Sequence, residues 1–354
     1  MAQYFCGMRI LDVTNPTAPH LLGAYDTTGQ TPPTRAIVAR DSFAYFGWTW
    51  PPYFRAFDVS NPARSVMYGG AEINNPPEDM VLRDSFVYVA QMRYFDIVNV
   101  ARPREPVRVG SCGLGDDSYG LSLVDSLAYV ASYPFAIISV AQPANPTIIS
   151  TIYRGAWNGT VRDTFLFLSS GGIIVYSVAQ PDQPRLLDSL SVGPNTYWVE
   201  AVGTLLYTGN RDGVRVVDAS DIHNMRVRGF CSTPYTVDRL TYKSPYIYAA
   251  CWEAGVSIYE SMQVAVSEPK KGGDEHTELS VRPNPATTTA VLSVFGQSLA
   301  TVTVRDIAGR VVRCATKRRA SGEVVLNMAQ KPPGVYFVES KTGATSVRLK
   351  FVKQ

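Results

Sequence analysis

The sequence predicts an all-β chain: a seven-bladed β-propeller, with a six-bladed or incomplete ring as alternatives, followed by a small immunoglobulin-like β-sandwich. Three observations carry this. Aromatic residues recur at Tyr4, Tyr45, Tyr88, Tyr129, Phe167, Tyr207 and Tyr248, 38 to 43 residues apart, which is the period of a propeller blade. Each repeat holds four short strand-like segments bounded by turn residues. The charge also changes sign along the chain. Residues 277–354 hold 12 Lys/Arg against 4 Asp/Glu, whereas residues 1–276 hold 21 against 26, a shift that marks two domains. The expected boundaries are a propeller over 1–263, a linker over 264–276 and a terminal domain over 277–354.

Within a repeat, the first strand ends in a turn such as Arg40-Asp41-Ser42, Arg83-Asp84-Ser85, Val124-Asp125-Ser126 or Arg162-Asp163-Thr164. The Asp and Ser side chains there are expected to bond their own backbone. The second strand alternates, as in Phe43-Ala44-Tyr45-Phe46, and carries the aromatic column. The third is branched and apolar, as in Val214-Arg215-Val216-Val217-Asp218, and closes on a polar column: Asp12, Asp58, Asn99, Ser139, Ser177, Asp218 and Glu260. These recur at one structural position, so they read as turn caps rather than a catalytic carboxylate cluster. Pro16, Pro62, Pro103, Pro143 and Pro181 follow and stop the strand, because proline cannot donate to the ladder. A fourth strand completes the unit, as in Pro106-Val107-Arg108-Val109-Gly110. The first unit starts at its second strand. The last has only Met262-Gln263-Val264-Ala265-Val266 as a fourth. An N-terminally truncated chain is the resulting expectation, and the absence of a basic and apolar leader at Met1-Ala2-Gln3-Tyr4-Phe5-Cys6 agrees with it.

At 45% hydrophobic and 18% charged residues the composition is globular. It contains no run of 18 apolar residues to span a membrane as a helix. The five cysteines, Cys6, Cys112, Cys231, Cys251 and Cys314, lack metal-ligand spacing and read as small strand residues. A single Cys6–Cys251 disulfide is the alternative. Neither a metal nor any other cofactor is expected. Sialidase-type Asp boxes, Gly-x-Ser-x-Gly and His-Glu-x-x-His are absent from the sequence. Gly115-Asp116-Asp117 and Asn210-Arg211-Asp212-Gly213 lack the alternating oxygen ligands of a calcium loop and read as solvated turns.

Gly7-Met8-Arg9-Ile10-Leu11-Asp12-Val13-Thr14-Asn15-Pro16 and Arg55-Ala56-Phe57-Asp58-Val59-Ser60-Asn61-Pro62 resemble the LVIVD repeats of extracellular propeller-like proteins. That resemblance implies architecture and an extracellular bias, with no shared enzymatic activity. After the linker, strands are predicted at Leu279–Arg282, Ala290–Phe295, Thr301–Ile307, Arg310–Cys314, Glu323–Leu326, Val335–Glu339 and Ser346–Val352. The order and spacing of Pro283-Asn284-Pro285, the segment around Gly309, Pro333-Gly334-Val335-Tyr336, and Lys350 to Lys353 resemble the type A C-terminal sorting domain of the type IX secretion system. That resemblance implies the type IX machinery as partner, and secretion or attachment to the outer surface of a gram-negative bacterium. The basic run Lys317-Arg318-Arg319 reads as a solvated hairpin tip, and nucleic acid is not an expected partner.

In a propeller, the loops entering each blade and those between second and third strands share one face. All five tryptophans map to such loops: Trp48, Trp50, Trp157, Trp198 and Trp252. Tyr53 lies beside the first two, and Tyr133, Tyr197 and Tyr235 fall on the same face. An aromatic platform suits sugar rings or a protein hot spot. The expected function is therefore an exported binding or adhesion module, monomeric, with an extracellular protein or glycan as ligand. Plugging of the channel mouth by the same rings, or their packing between blades, is the structural alternative, and an extracellular polysaccharide or peptide hydrolase is the functional one.

Overall fold

The computed structural model describes residues 2–3, 7–16, 18–25, 36–48, 51, 53–252 and 255–261, and in the tail 279–282, 289–294, 301–306, 310–318, 324–342 and 345–353. The chain divides into two compact units, Met1–Val264 and Ala265–Gln354. Trp50, Cys6, the 264–276 stretch, the Met262–Val266 strand candidate, and Pro283, Asn284, Pro285 and Gly309 lie outside the described residues.

Each blade is organised by its first hairpin. Asp41, Asp84, Asp125 and Asp163 take φ of 55, 52, 49 and 55°, and Gly203 takes φ 56° at the equivalent place. Aspartate tolerates this left-handed region better than most residues. The turn directs the carbonyls of Ser42, Ser85, Ser126 and Thr164 at the N–H groups of Val59, Val100, Val140 and Val178, 2.7–2.8 Å away. The turns are thus held by backbone geometry, where the sequence suggested side-chain acceptors. The polar column does cap turns. Asp12, Asp58, Asn99 and Asp218 each accept at Oδ1 from the N–H two residues on, at 2.8–3.0 Å.

The first unit contains seven antiparallel sheets, five of four strands and two of three. Six of them begin with an inner strand: Ile37–Arg40, Pro77–Arg83, Gly120–Val124, Asn158–Arg162, Thr196–Val202 and Val237–Lys243. These head blades one to six of a six-bladed propeller arrangement. Among the described residues the opening sheet consists of Ala2–Gln3, Gly7–Asp12 and His20–Tyr25 and shows no inner strand. Sequence counting by third strands reached seven because third strands recur in all seven sheets; the inner strands number six. The opening sheet nevertheless meets blade one as each blade meets its successor. Gly23 abuts the Pro62 carbonyl, as Gly110 abuts that of Pro143; a Cβ would come within 1.7 and 2.0 Å of those oxygens. In blade three the equivalent Ser150 donates to the Pro181 carbonyl instead, at 2.6 Å.

The hydrophobic core is a set of layers between sheets. Phe46 and Phe57 of blade one pack with Met8 of the opening sheet. Tyr45 packs with Met80 and Val89 of blade two, Tyr88 with Leu121 and Val130 of blade three, and Tyr129 with Leu166 and Leu168 of blade four. Phe167 and Tyr207 repeat this toward blades five and six. Every described member of the aromatic column from Tyr45 to Tyr207 thus faces the following blade and is nearly fully buried. Burial of a ring of this size stabilises by roughly 1.5–3 kcal/mol, repeated at each interface.

Cys251 is a free, buried thiol within reach of the Ala249 carbonyl, which replaces the Cys6–Cys251 disulfide considered from sequence. Cys231 is exposed.

The tail unit forms two antiparallel sheets. One is ordered Leu279–Arg282, Thr289–Val294, Val324–Asn327, Thr316–Arg318; the other runs Thr301–Asp306, Gly334–Thr342, Thr345–Lys353. Two predictions shift. Residues 310–314 form only one isolated bridge, Arg305 with Val311. Lys317 and Arg318 lie on an exposed edge strand rather than a hairpin tip, where charge discourages pairing with another chain. Tyr336 is buried and donates to the Pro332 carbonyl at 2.8 Å. It thereby fixes the Pro333-Gly334 corner, with Gly334 at φ 156°. Lys350 lies opposite Phe337, and Lys353, opposite Gly334, is buried.

Candidate binding face and central channel

Two groups of side chains gather at the inner strands. The first comprises Tyr119 and Trp157, each just before its inner strand, and Tyr197, the bulged second residue of Thr196–Val202. Backbone bonds fix two of them, Tyr119 N–H to the Ala131 carbonyl at 2.8 Å and Trp157 N–H to that of Ser169 at 3.0 Å. The rings form a continuous run of contacts over blades three to five, tilted at 50° with centroids 4.7 Å apart for Tyr119–Trp157 and edge-on at 61° and 5.5 Å for Trp157–Tyr197. Beside it opens a cleft of about 320 Å³ lined by Asp116, Asp117, Tyr119, Ser132, Tyr133 and Trp157, with Gly155, Ala156, Ser170 and Gly171 as floor. Trp157 is 45% exposed and Tyr133 55%, so both rings keep surface available to a ligand. Gly155 faces Tyr133 with room to spare: a Cβ there would sit 3.6 Å from that ring, in ordinary contact.

The other predicted residues separate from this cleft. Trp48 packs half-buried on Phe46, 5.7 Å between centroids, with the Arg55 guanidinium 5.8 Å from its ring. It belongs with the layer between the opening sheet and blade one, and Tyr53 with the layer between blades one and two. Trp252 is 71% exposed in the last blade's loop between second and third strands. Trp198 turns toward the channel.

The second group is in that channel. Bulges at Pro77/Asp79, Thr196/Trp198 and Val237/Arg239 place Asp79, Trp198 and Arg239 at one register level. Asp79 Oδ2 accepts from Leu121 N–H at 2.8 Å, and Asn158 Oδ1 at the same level accepts from Val199 N–H at 3.1 Å. Each is one bond from a blade to its successor. Arg239 reaches across to donate to Asp79 Oδ1 at 2.6 Å and to the Glu78 carbonyl. Its guanidinium lies 5.0 Å from the Trp198 ring centre. Burial pushes the Asp79 carboxyl up, while Arg239 and the Leu121 and Met80 N–H groups pull it back toward the charged form. Glu200, one step down the channel, is pushed up to about 7 by burial. The Trp198 indole N–H opposes that shift without reaching hydrogen-bond geometry.

Sequence reasoning missed Tyr119, Asp79, Glu200 and Arg239. Tyr119 was recoverable, because it directly precedes its inner strand as Trp157 does its own. The channel charges sit one per blade and carry no local signature. Among the described residues no cluster of metal-ligating side chains forms, and no helix is long and apolar enough to cross a membrane.

The fold and the sorting tail define the class: an exported β-propeller protein. Residues 280–354 match the secretion system C-terminal sorting domain, and residues 5–27 and 78–113 match the LVIVD repeat. The chain therefore carries LVIVD repeats in a propeller and a sorting domain that implies type IX export to the cell surface or extracellular space. No curated protein matches the sequence. Among solved structures, a candidate 6-phosphogluconolactonase from Bacteroides fragilis is similar over 73% of this chain and 89% of its own, with 11% identity and a TM-score of 0.57. A protein from Lactobacillus plantarum is similar over 88% and 95%, at 12% identity and a TM-score of 0.54. A chain of the mitotic checkpoint complex is similar over 72% and 84%, at 9% identity and 0.57. Identities this low show a shared fold alone.

Proposed function

We propose that this protein is an extracellular binding or adhesion module, displayed on or released from the outer surface of a gram-negative cell, whose ligand face is the aromatic cleft of blades three to five. The observation that carries the reading is the run of contacting rings Tyr119–Trp157–Tyr197 beside an open cleft of about 320 Å³. Aromatic rings with exposed faces bind through large rigid area at little entropic cost. Trp252 extends the face on blade six, and Trp50 is proposed with it. The tail acts as the export address, with its two sheets forming a small immunoglobulin-like sandwich.

A hydrolase reading would need two acids held apart across a substrate. In the channel the Asp79 carboxylate already accepts from Arg239, Leu121 and Met80, and the cleft's Asp116 and Asp117 are consecutive residues, Asp116 accepting the Asp117 N–H. Binding is the better-supported reading. Capture of surface components from the producing organism's environment, by the full chain and by Trp157→Ala, tests it. Loss of capture in the variant with an unchanged melting temperature supports the cleft; undiminished capture rejects it.

A further inference from the structure

The cleft has a chemical bias that narrows its ligand. Three rings (Tyr119, Tyr133 and Trp157) and two carboxylates (Asp116 and Asp117) line it, and no lining side chain is basic or a carboxamide. The Ser132 hydroxyl is already engaged, donating to the Pro134 carbonyl at 2.7 Å. Asp116 Oδ1 accepts the Asp117 N–H at 2.9 Å, which orients the pair. Among the described residues neither aspartate has an ion-pair partner. The lining thus combines two carboxylates with π faces and holds no cationic group; its donors are the Tyr119, Tyr133 and Ser170 hydroxyls and the Trp157 indole N–H.

On the reading that this is the binding face, we infer that the cleft takes a cationic group: the guanidinium or ammonium of an arginine or lysine side chain on a polypeptide partner. These groups are donors only, so they match carboxylates without leaving acceptors unpaired. A neutral sugar ring donates hydroxyls to carboxylates but brings no counter-charge to them, which a cationic side chain does. Cations are attracted to the faces of Trp and Tyr, more strongly for Arg than for Lys in proteins. A volume of about 320 Å³ sits at the small end of ligand pockets and suits one side chain rather than an oligosaccharide.

The test is calorimetric titration of the full chain with acetyl-Gly-Gly-Arg-Gly-Gly-amide, its Lys and Gln counterparts, and a neutral tetrasaccharide. The expected result is saturable binding of the Arg and Lys peptides, with the Gln peptide weaker by about tenfold or more. Asp116→Asn with Asp117→Asn, which keeps the shape and the Oδ1 acceptor, is expected to weaken the Arg peptide about tenfold and flatten its salt dependence. Equal binding of the Gln peptide, or no saturable binding of either basic peptide, overturns the inference. Binding of the tetrasaccharide instead, abolished by Trp157→Ala, also overturns it while leaving the cleft as the binding face. Capture of surface components that Trp157→Ala leaves intact rejects the binding face itself.

Discussion

Arg239, on the last inner strand, donates from Nη1 to Oδ1 of Asp79 on the second, 2.6 Å away across 160 residues of sequence. The pair is shielded, with side-chain exposures of 25% and 11%. Together with the Leu121 bond it links blades two, three and six through one carboxylate. Removing one partner from such a pair leaves an uncompensated charge. Arg239→Met is therefore expected to destabilise the propeller by about 2–4 kcal/mol. Asp79→Asn, which keeps the Oδ atom facing Leu121, is expected to cost less. Urea unfolding of both variants and the double mutant checks this; strictly additive losses would refute the coupling.

Glu200 gives the channel a pH dependence. Its folded value is raised to about 7 from 4.5, so between those values the folded state holds a proton that the unfolded chain releases. Stability is then greatest below about 4.5, as far as this group is concerned, and falls as pH rises through 7. The expected loss is about 1–2 kcal/mol after allowance for solvent reaching a half-buried carboxyl. Melting temperatures of the native chain and Glu200→Gln at pH 5 and pH 8 should show the gap narrow or vanish in the variant. The turn aspartates Asp12, Asp58 and Asp218 act oppositely: hydrogen bonds lower their carboxyls, so their contribution is lost at more acid pH.

Trp48 and Trp157 are expected to part company. Trp48→Ala removes a ring packed on Phe46 and under Arg55 and is expected to cost about 1–3 kcal/mol of stability. Trp157→Ala removes a ring that is 45% exposed and should leave the melting temperature within a few degrees while binding is lost. Thermal scans paired with a binding assay distinguish them. The reverse pattern would move the ligand face to blade one.

Gly110 should resist any side chain. Its Cβ would come within 2.0 Å of the Pro143 carbonyl, which is backbone and cannot swing aside. Gly110→Ala is expected to force blades two and three apart at a cost of about 1–3 kcal/mol. Gly113→Ala, where a Cβ meets nothing within 4 Å, is the matched control and should be close to neutral in denaturant midpoint.

The repeat unit was legible from sequence because its determinants are local. The Asp turn needs a residue tolerant of positive φ, the strand needs alternation, and the Asx cap needs an oxygen two residues before its donor. All three are set within ten residues and recur along the chain, the cap at Asp12, Asp58, Asn99 and Asp218 and the turn aspartate at Asp41, Asp84, Asp125 and Asp163. The sorting tail was legible for a similar reason, in a fixed order of short motifs. Tertiary structure alone decided the rest. Seven third strands became six inner strands, because closure depends on what lies next to the axis rather than on how often a motif repeats. Of the four described tryptophans assigned to one face, Trp157 lines the cleft, Trp198 lies beside Arg239, Trp48 joins a packing layer and Trp252 stands exposed. Asp79, Glu200 and Arg239 are ordinary residues of three separate strands. They acquire a common role only when the ring brings them to one axis, where low dielectric makes charge pairing consequential.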